Sequence, residues 1–534
     1  MGRGWRGWVR GRWLQGWTFM GALVFLPFLA LPTARAVSLG GSGAELGVSL
    51  TAREVIEANR ATTHERTLTK ARFAPRFRPL PWIRLSGSVV VTHGGPTIHA
   101  RSEGVYRLRE VFQNRSPAVD WEEVFLDARW KFLDVRLGKQ RIAWGKLDRF
   151  SPTDVLNTFS YLDPFVLEEG ERRIGAPAAL FSWNVPVTRD WLDEPRVSFV
   201  WVPLYLPFRF SDATCEVAPT GTTACRTERW FPPAGLPPQV FVLPEGLLQL
   251  PNGLPSPEVR VPVSFRVRNV APRARLEDGS FGARLSAMVQ GVDAAAYYFH
   301  GYDNQPAFRL GAWATGIPDP DPRNPLHVRD LVAHTVLEPR FQTVDLWGLD
   351  VARAFERLTV RAEAAYVSGR PFSRDLRGLI RDPTSLRPQL LGALTALGRG
   401  AGAVPVELPP SAVTRDAVEW GAGVDVLLHG WLFLLQVNQT NLLRNETPLL
   451  IESVETRALL TARKAWLGSR LQLYLLSGQG FESGYSFARP RLQYRWRDGV
   501  TTEVGYLWIA GSPHSVIGQY RRNDQAWVAL LIDF

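Results

Sequence analysis

The last segment of the chain alternates between apolar and polar positions. One face of this segment is wholly apolar and consists of Ala526, Val528, Leu530, Ile532 and Phe534. The other face includes Gln525 and Asp533. A two-residue period is typical of a β-strand whose faces meet different surroundings. We therefore expect residues 524–534 to form the closing strand of a β-barrel.

Three internal segments, 124–132, 358–366 and 491–496, show the same alternation and keep their charges on one face. The charged positions that we expect to face inward are Asp127, Arg129, Lys131, Arg361, Glu363, Arg491 and Arg495. A soluble β-sandwich also alternates, but its charges point outward. In a membrane barrel they face a wet lumen, because an arginine facing lipid at mid-depth costs about 2–4 kcal/mol.

The connections between these segments alternate between short and long, which favours the barrel. Arg497–Gly499, His429–Gly430 and Gln290–Gly291 are tight, whereas 303–342 and 368–418 are long. Outer-membrane barrels have short periplasmic turns and long external loops. The pattern predicts seventeen strands, at 82–93, 103–113, 121–131, 133–143, 178–187, 197–205, 281–289, 292–301, 343–354, 358–367, 419–428, 431–440, 455–464, 468–477, 485–496, 500–510 and 524–534. Bacterial single-chain barrels have even strand numbers, so we expect 16 to 18 strands and one error in the N-terminal third.

Two segments do not fit the alternation. Residues 37–80 are interpreted as a polar helix or loose chain that lies in the periplasm or the lumen. The connection 206–280 is rich in proline and apolar in its middle part, 231–262, so we expect it to fold over the mouth of the barrel or into the lumen. The barrel itself is expected to occupy residues 81–534.

The N-terminus predicts export. Four arginines precede a short apolar run, and an A-x-A cleavage motif ends at Ala36, which indicates a signal peptide over residues 1–36. The net charge of +11 includes five leader arginines, and without them +6 remains. No dense basic run is present, so nucleic acid is not an expected partner. No later stretch of 18 uninterrupted apolar residues predicts a membrane-spanning helix.

The sequence contains little that would predict catalysis or metal binding. Cys215 and Cys225 are the only cysteines, and in an exported protein their spacing suits one disulfide bond, with two free thiols as the alternative. The histidines are scattered, and no metal, nucleophile or phosphate motif appears. We therefore expect no enzyme activity, no cofactor and no metal. The stretch Asp319–Pro325 could in principle bind calcium, but its prolines favour a stiff external turn.

A segment that follows the strand at 133–143 resembles a family of proteobacterial outer-membrane β-barrels that is classified only as a domain of unknown function. The residues that carry this resemblance are Gly138, Gln140, Trp144, Gly145, Asn157, Asp163 and Pro164. The segment Tyr297–Phe308 and the terminal Phe534 are similar to the same family, which covers most of residues 80–534. The resemblance implies a barrel in the outer membrane of a Gram-negative bacterium that conducts or moves a solute. It also implies that Phe534 belongs to a signal for the barrel-assembly machinery.

The same segment is densely charged. Its ionisable residues are Arg141, Lys146, Asp148, Arg149, Asp154, Glu168, Glu169, Glu171, Arg172 and Arg173. Folded inward, it would form a constriction that sorts ions by their charge, and the alternative is a solvated surface loop. We predict a porin-like channel for passive passage of small polar or anionic solutes. The alternative function is outer-membrane transport of a hydrophobic cargo, a lipid or hydrocarbon, gated by the proline-rich segment.

Overall fold

The computed structural model describes most of the chain. The described residues are 37–38, 44–58, 63–93, 118–160, 169–187, 189–206, 213–217, 223–227, 240–243, 245–246, 258–267, 276–304, 307–321, 324, 326–375, 386–444, 448–449, 451–512, 515, 517–521 and 524–533. The predicted leader, the predicted strand 103–113, and Asp163, Pro164 and Phe534 lie outside them.

The described residues are mostly β-strand. The strands are β1 (Val37–Ser38), β2 (Ala44–Ala58), β3 (Thr63–Leu80), β4 (Ile83–His93), β5 (Ala118–Trp130), β6 (Leu133–Gln140), β7 (Ala176–Asn184), β8 (Leu192–Val202), β9 (Ala213–Val217), β10 (Thr223–Thr227), β11 (Val240–Leu243), β12 (Val259–Val267), β13 (Ser280–Val289), β14 (Val292–Tyr302), β15 (Ala307–Pro318), β16 (Val328–Arg340), β17 (Thr343–Ala354), β18 (Leu358–Ser373), β19 (Val404–Val406), β20 (Ala412–Leu428), β21 (Trp431–Leu442), β22 (Val454–Trp466), β23 (Leu471–Gly480), β24 (Tyr485–Arg497), β25 (Val500–Gly511) and β26 (Asp524–Asp533). The α-helices are α1 (Glu169–Arg172) and α2 (Arg387–Gly398), and Leu276–Asp278 and Gly518–Tyr520 form 3₁₀ turns. No helix among the described residues is long and apolar enough to cross a membrane.

Eighteen antiparallel strands form a closed barrel. Around the ring they run β2 to β8, β13, β14, β17, β18, and β20 to β26. The ring closes because β26 pairs with β2, with Ser49 opposite Asp533. Closure leaves no barrel strand with an unpaired edge. The predicted membrane-type barrel of 16 to 18 strands is therefore confirmed.

The N-terminal segment corrects the sequence-based prediction. Residues 37–80 were expected to be a periplasmic or lumenal segment, but they contain β1, β2 and β3, and β2 and β3 are paired along their length within the wall. These two strands bring the number in the ring to the even value that the fold requires. Strand β4 pairs directly with β5, so the ring closes without a strand from 103–113. The other sixteen predicted strands all correspond to barrel strands.

The two faces of the wall carry opposite chemistry. Large apolar side chains on the outside are exposed, such as Leu349 at 62% and Phe199 at 58%. Acidic side chains on the inside are buried within the barrel, such as Asp350 at 1% and Glu503 at 1%. This arrangement is the reverse of a soluble sandwich and is typical of a barrel that is surrounded by lipid.

The two ends of the barrel differ as predicted. One end carries short connections of two to seven residues, such as 131–132, 290–291 and 429–430, together with the start of β2 and the end of β26. The other end carries the long connections, of which 203–279, 303–342 and 374–411 are the largest. The first is called the short-turn end below, and the second is called the long-loop end.

A second sheet is built from the three largest connections at the long-loop end. Its strands run in the order β10, β9, β12, β16, β15 and β19, with β11 paired to β12. Helix α2 packs against this sheet through Leu394 and Leu397. Leu243 and Val261, from the proline-rich segment, are buried in the same core. The described part of that segment thus contributes to the second sheet.

The cysteines lie in this second sheet. Strands β9 and β10 form an antiparallel hairpin in which Cys215 is directly opposite Cys225. Such positions have Cα atoms roughly 4.5–5.5 Å apart, within the range of about 4.4–6.8 Å that disulfides span. The disulfide bond stays a prediction, and its test is a thiol titration under denaturing conditions, in which we expect reactive thiols only after reduction.

A buried ion cluster connects strands β18 and β20 at the barrel rim to the start of one long connection. Arg370 lies in β18 and has a side chain that is 2% exposed. Its Nε is 2.7 Å from a carboxylate oxygen of Asp303, which follows β14, and its Nη1 is 2.6 Å from Glu419 of β20. Two carboxylates therefore compensate one buried guanidinium, as a buried charge requires.

Candidate functional site: a loop folded into the lumen

The connection after β6 leaves the wall and folds into the barrel. Its residues 141–160, called the lumen loop below, contact the inner faces of β14, β17, β18, β20 and β21. At its far point the Phe150 ring lies 5.4 Å from the guanidinium carbon of Arg457 in β22. Strand β22 is nine strands away from β6 in a ring of eighteen. The lumen loop therefore crosses the barrel to the opposite wall.

Glu363 on β18 holds the middle of the lumen loop. Its carboxylate accepts a hydrogen bond from the backbone N–H of Lys146 and another from that of Leu147, at 2.5 Å. It also accepts hydrogen bonds from the hydroxyls of Ser151, at 2.6 Å, and Thr153, at 3.1 Å. Four donors therefore converge on one carboxylate that is 3% exposed. Hydrogen bonds to a charged acceptor are among the strongest in proteins.

Gly145 makes the approach to Glu363 possible. Its φ of 87° lies in the left-handed region, which favours glycine. A Cβ at this position would lie 2.3 Å from the Ser151 hydroxyl and 2.7 Å from a carboxylate oxygen of Glu363. A side chain at position 145 would therefore separate the loop from its acceptor.

Ion pairs fix the lumen loop on both sides of Glu363. The ammonium of Lys146 lies 2.8 Å from carboxylate oxygens of both Asp293 on β14 and Asp350 on β17. On the other side, Arg361 pairs with Asp148 of the loop at 3.1 Å and with Asp425 of β20. Through these pairs the loop has ionic contacts with three neighbouring strands, β14, β17 and β18.

Amides and glycines on β20 and β21 receive the far part of the loop. Gln436 accepts a hydrogen bond from the Asp148 backbone N–H at 3.2 Å, and the Asn438 side-chain amide donates to the Phe150 carbonyl at 3.1 Å. Leu147 packs over Gly421, where a Cβ would lie 2.5 Å from the leucine Cδ1. The wall is therefore shaped to accept this loop.

The neck of the lumen loop is closed by Asn157, which is fully buried. Its side-chain oxygen accepts a hydrogen bond from the Ile142 N–H at 2.6 Å. Its side-chain amide donates to the carbonyls of Ile174, at 2.8 Å, and Gln140, at 3.3 Å. One side chain thus joins the two backbone segments at which the connection leaves and rejoins the wall.

A comparison with protein families assigns the chain to one of them. Residues 95–525 match the family model described as "Protein of unknown function (DUF1302)". The chain belongs to the DUF1302 family. The resemblance that the sequence indicated is thereby confirmed. A comparison with curated proteins found no match.

Solved structures similar to this DUF1302 chain include three named Occ proteins. OccAB4 of Acinetobacter baumannii has 8% sequence identity and a TM-score of 0.44, and the match covers 92% of this chain and 97% of that one. OccAB1 of the same organism has 8% identity and a TM-score of 0.43, with 94% and 99% covered. OccK8 (OprE) of Pseudomonas aeruginosa has 8% identity and a TM-score of 0.42, with 92% and 97% covered.

The described residues of the segment that carried the family resemblance gather at the neck and middle of the lumen loop. Trp144 is buried against Gly282, where a Cβ would lie 2.6 Å from the indole, and its ring lies 5.2 Å from that of Tyr297. The Gln140 side-chain amide donates to the Ala178 carbonyl at 2.9 Å. Gly138 has a φ of 129°, and a Cβ there would lie 2.3 Å from a backbone oxygen of the neighbouring strand. With Gly145 and Asn157, these residues shape the exit of the chain from the wall.

The predicted charged residues divide into three groups. Arg361 and Glu363 bind the lumen loop, as described above. Arg141, Arg172 and Arg173 lie at its neck, where Arg173 pairs with Asp154 at 2.5 Å. Arg129, Arg491 and Arg495 belong to other parts of the inner wall.

Lys131 was wrongly assigned to an inward strand position. Strand β5 ends at Trp130, and Lys131 lies in the two-residue turn before β6. It is exposed there and has a φ of 50°. The alternating pattern had been extended one residue too far, because a tight turn does not interrupt it visibly in sequence.

The remaining inner wall is formed by β22 to β26 and β2 to β6, and is called the basic arc below. Each of three carboxylates on it is surrounded by more than one cation. Glu122 has Lys70, Arg72 and Arg141 within 3.6 Å. Asp127 has Arg84, Arg129 and Arg136 within 3.9 Å. Glu503 has Arg53 and Arg491 within 3.8 Å. These clusters place eight basic groups around three carboxylates.

The wall under the lumen loop has the opposite balance. Its contacts involve the five carboxylates of Asp148, Asp293, Asp350, Glu363 and Asp425 and the two cations of Lys146 and Arg361. Acidic groups therefore lie on the loop side of the lumen and basic groups on the basic arc. The sequence contained these residues, but it could not show which strands the ring would bring together.

Asp319, Asp321 and Asn324, which are described residues of the candidate calcium stretch, are hydrogen-bonded to one another. The Asp319 carboxylate accepts hydrogen bonds from the Asn324 side chain at 2.8 Å and from the Asp321 N–H at 3.1 Å. These hydrogen bonds, the Asn324 one above all, lower the pKa of Asp319 below its usual value. This geometry is consistent with the stiff external turn that the sequence favoured.

Proposed function

We propose that the chain is a porin-like channel in the outer membrane of a Gram-negative bacterium, through which small polar or anionic solutes pass without an energy source. The observation that carries the proposal is the charge balance of the lumen. A fixed loop crosses the barrel on one side, and the basic arc carries an excess of positive charge on the other. Rings of fixed charge in a narrow pore select ions of the opposite sign.

The proposal includes the cellular context. Residues 1–36 are a signal peptide that is removed during export, and outer-membrane lipid surrounds the apolar outside of the barrel. Phe534 belongs to the signal that the barrel-assembly machinery reads. N-terminal sequencing of protein purified from membranes tests the first point, and we expect it to begin at Val37.

The alternative, transport of a hydrophobic cargo, has weaker support. That alternative places a cargo site at the apolar residues of the proline-rich segment. Within the described residues, Leu243 and Val261 of that segment are instead buried in the core of the second sheet. These two side chains are therefore buried by internal packing.

Ion selectivity in a planar bilayer tests the channel proposal. We expect the wild-type protein to prefer chloride over potassium in a salt gradient. Combined replacement of Arg84, Arg129 and Arg136 by glutamine leaves Asp127 without its cations and is expected to move the reversal potential toward cation preference. Arg353→Gln, on the outer face beside a short turn, is the matched control and should change nothing. A silent bilayer, or wild-type cation preference, would contradict the proposal.

A further inference from the structure

Three side chains form a row on the inner wall near the short-turn end. Arg463 of β22 is directly opposite Tyr474 of β23, and Tyr474 is directly opposite Arg491 of β24. The guanidinium carbons lie 5.1 Å and 4.7 Å from the centroid of the phenol ring. Because β22 and β24 flank β23, the ring separates two cations that would otherwise repel each other. Cation–π contacts of this length are attractive.

Gln472 holds Arg463 and Tyr474 in place. The Tyr474 hydroxyl donates to the side-chain oxygen of Gln472 at 2.5 Å, and Nη2 of Arg463 donates to the same oxygen at 3.2 Å. The amide of Gln472 in turn donates to the carbonyl of Ser469 at 3.0 Å. The guanidinium is therefore oriented before any ligand arrives, which reduces the entropy lost on binding.

Arg463 retains donors for a ligand. A guanidinium has five N–H donors. Among the described residues, Arg463 donates to one acceptor, the side-chain oxygen of Gln472. No carboxylate of the described residues lies within ion-pair distance of it, and the side chain is exposed. Arg491, by comparison, lies 3.5 Å from Glu503, which also neighbours Arg53 at 3.8 Å. Arg463 is thus the member of the row whose positive charge has no carboxylate partner among the described residues.

We propose that the row Arg463–Tyr474–Arg491 is a binding subsite for the carboxylate group of small organic acids. This inference rests on the proposed channel, whose permeating anions it specifies. The planar fork of a guanidinium matches a carboxylate with two parallel hydrogen bonds, and the second cation adds attraction without blocking the first. Arg463 is exposed on the inner wall, so an anion can reach the row along the proposed permeation path and leave it again.

Inhibition of chloride current by benzoate tests the subsite. We expect benzoate to reduce the wild-type chloride current in a saturable manner, and benzamide, which has the same shape without the charge, to have little effect. Arg463→Gln should raise the half-inhibiting benzoate concentration about tenfold or more, since it removes a charged hydrogen-bonding partner. Tyr474→Phe, which keeps the ring but removes the hydroxyl's hydrogen bond to Gln472, should have an intermediate effect. Arg353→Gln on the outer face is the control.

The possible outcomes separate the subsite from the channel. Benzoate inhibition that is unchanged in Arg463→Gln would overturn the subsite. Inorganic phosphate that inhibits at the same concentration with the same dependence on Arg463 would replace the carboxylate class by oxyanions in general. If the wild-type protein conducts no chloride, the channel proposal fails, and calorimetric titration of benzoate into detergent-solubilised protein then decides the subsite. Heat of binding that disappears in Arg463→Gln supports it, and no binding to the wild type refutes it.

Discussion

Replacing Glu363 with alanine is expected to release the lumen loop and raise the single-channel conductance. The substitution leaves the N–H groups of Lys146 and Leu147 and the hydroxyls of Ser151 and Thr153 without their acceptor. A buried donor that loses its partner costs about 1–3 kcal/mol, so even partial loss across four donors exceeds roughly 3 kcal/mol. That difference reduces the ratio of docked to released loop by about a hundredfold. Conductance and its fluctuations in a planar bilayer are the measurement.

A graded pair of variants separates loop release from a general defect of the barrel. Glu363→Gln keeps one acceptor oxygen of the same shape and should fall between wild type and Glu363→Ala. Both variants should retain the heat-dependent mobility on detergent gels that a folded barrel shows, because the wall pairing of β18 does not depend on this side chain. Unchanged conductance in Glu363→Ala, with the barrel intact, would contradict the role of Glu363.

Replacing Arg370 with methionine is expected to destabilise the protein by about 3–5 kcal/mol, the usual cost of removing one partner from a buried ion pair. The variant leaves the carboxylates of Asp303 and Glu419 close together and without their shared cation. Its midpoint of chemical unfolding in detergent should therefore fall at constant denaturant slope. Restoring charge balance by adding Asp303→Asn and Glu419→Gln should recover much of the loss. Equal stability of Arg370→Met and the wild type would show that the cluster contributes nothing to the rim.

The alternation of apolar and charged residues was sufficient to predict the barrel, because each wall position meets either the outside or the lumen. The same rule could have found β2 and β3. Leu46, Val48 and Leu50 alternate with Glu45, Gly47 and Ser49, and Lys70 and Arg72 alternate with Ala71 and Phe73. The outward positions of β2 and β3 contain fewer large aliphatic residues than those of the other strands, and neighbouring charged residues obscure the two-residue period.

The candidate site was predictable only in part. The sequence located the lumen loop and two of its wall partners, Arg361 and Glu363, because a charged loop and inward charges are visible locally. Asp350 and Gln436 were missed because their role depends on which strands stand beside the loop in the closed ring. Such contacts join residues separated by two to three hundred positions, and no local period encodes them.

The central claim, that the lumen loop crosses the barrel to the far wall, is tested most directly by a chemical cross-link between engineered cysteines. With Cys215 and Cys225 replaced by serine, cysteines at Phe150 and Asn438 should be joined by a short bifunctional thiol reagent, since the Asn438 amide contacts the Phe150 carbonyl at 3.1 Å. Cysteines at Phe150 and Leu435, which faces outward and is 52% exposed, should not cross-link. We expect the first pair to form a bond detectable by gel mobility and mass spectrometry. Failure of the first pair, in a barrel that remains folded, would contradict the account.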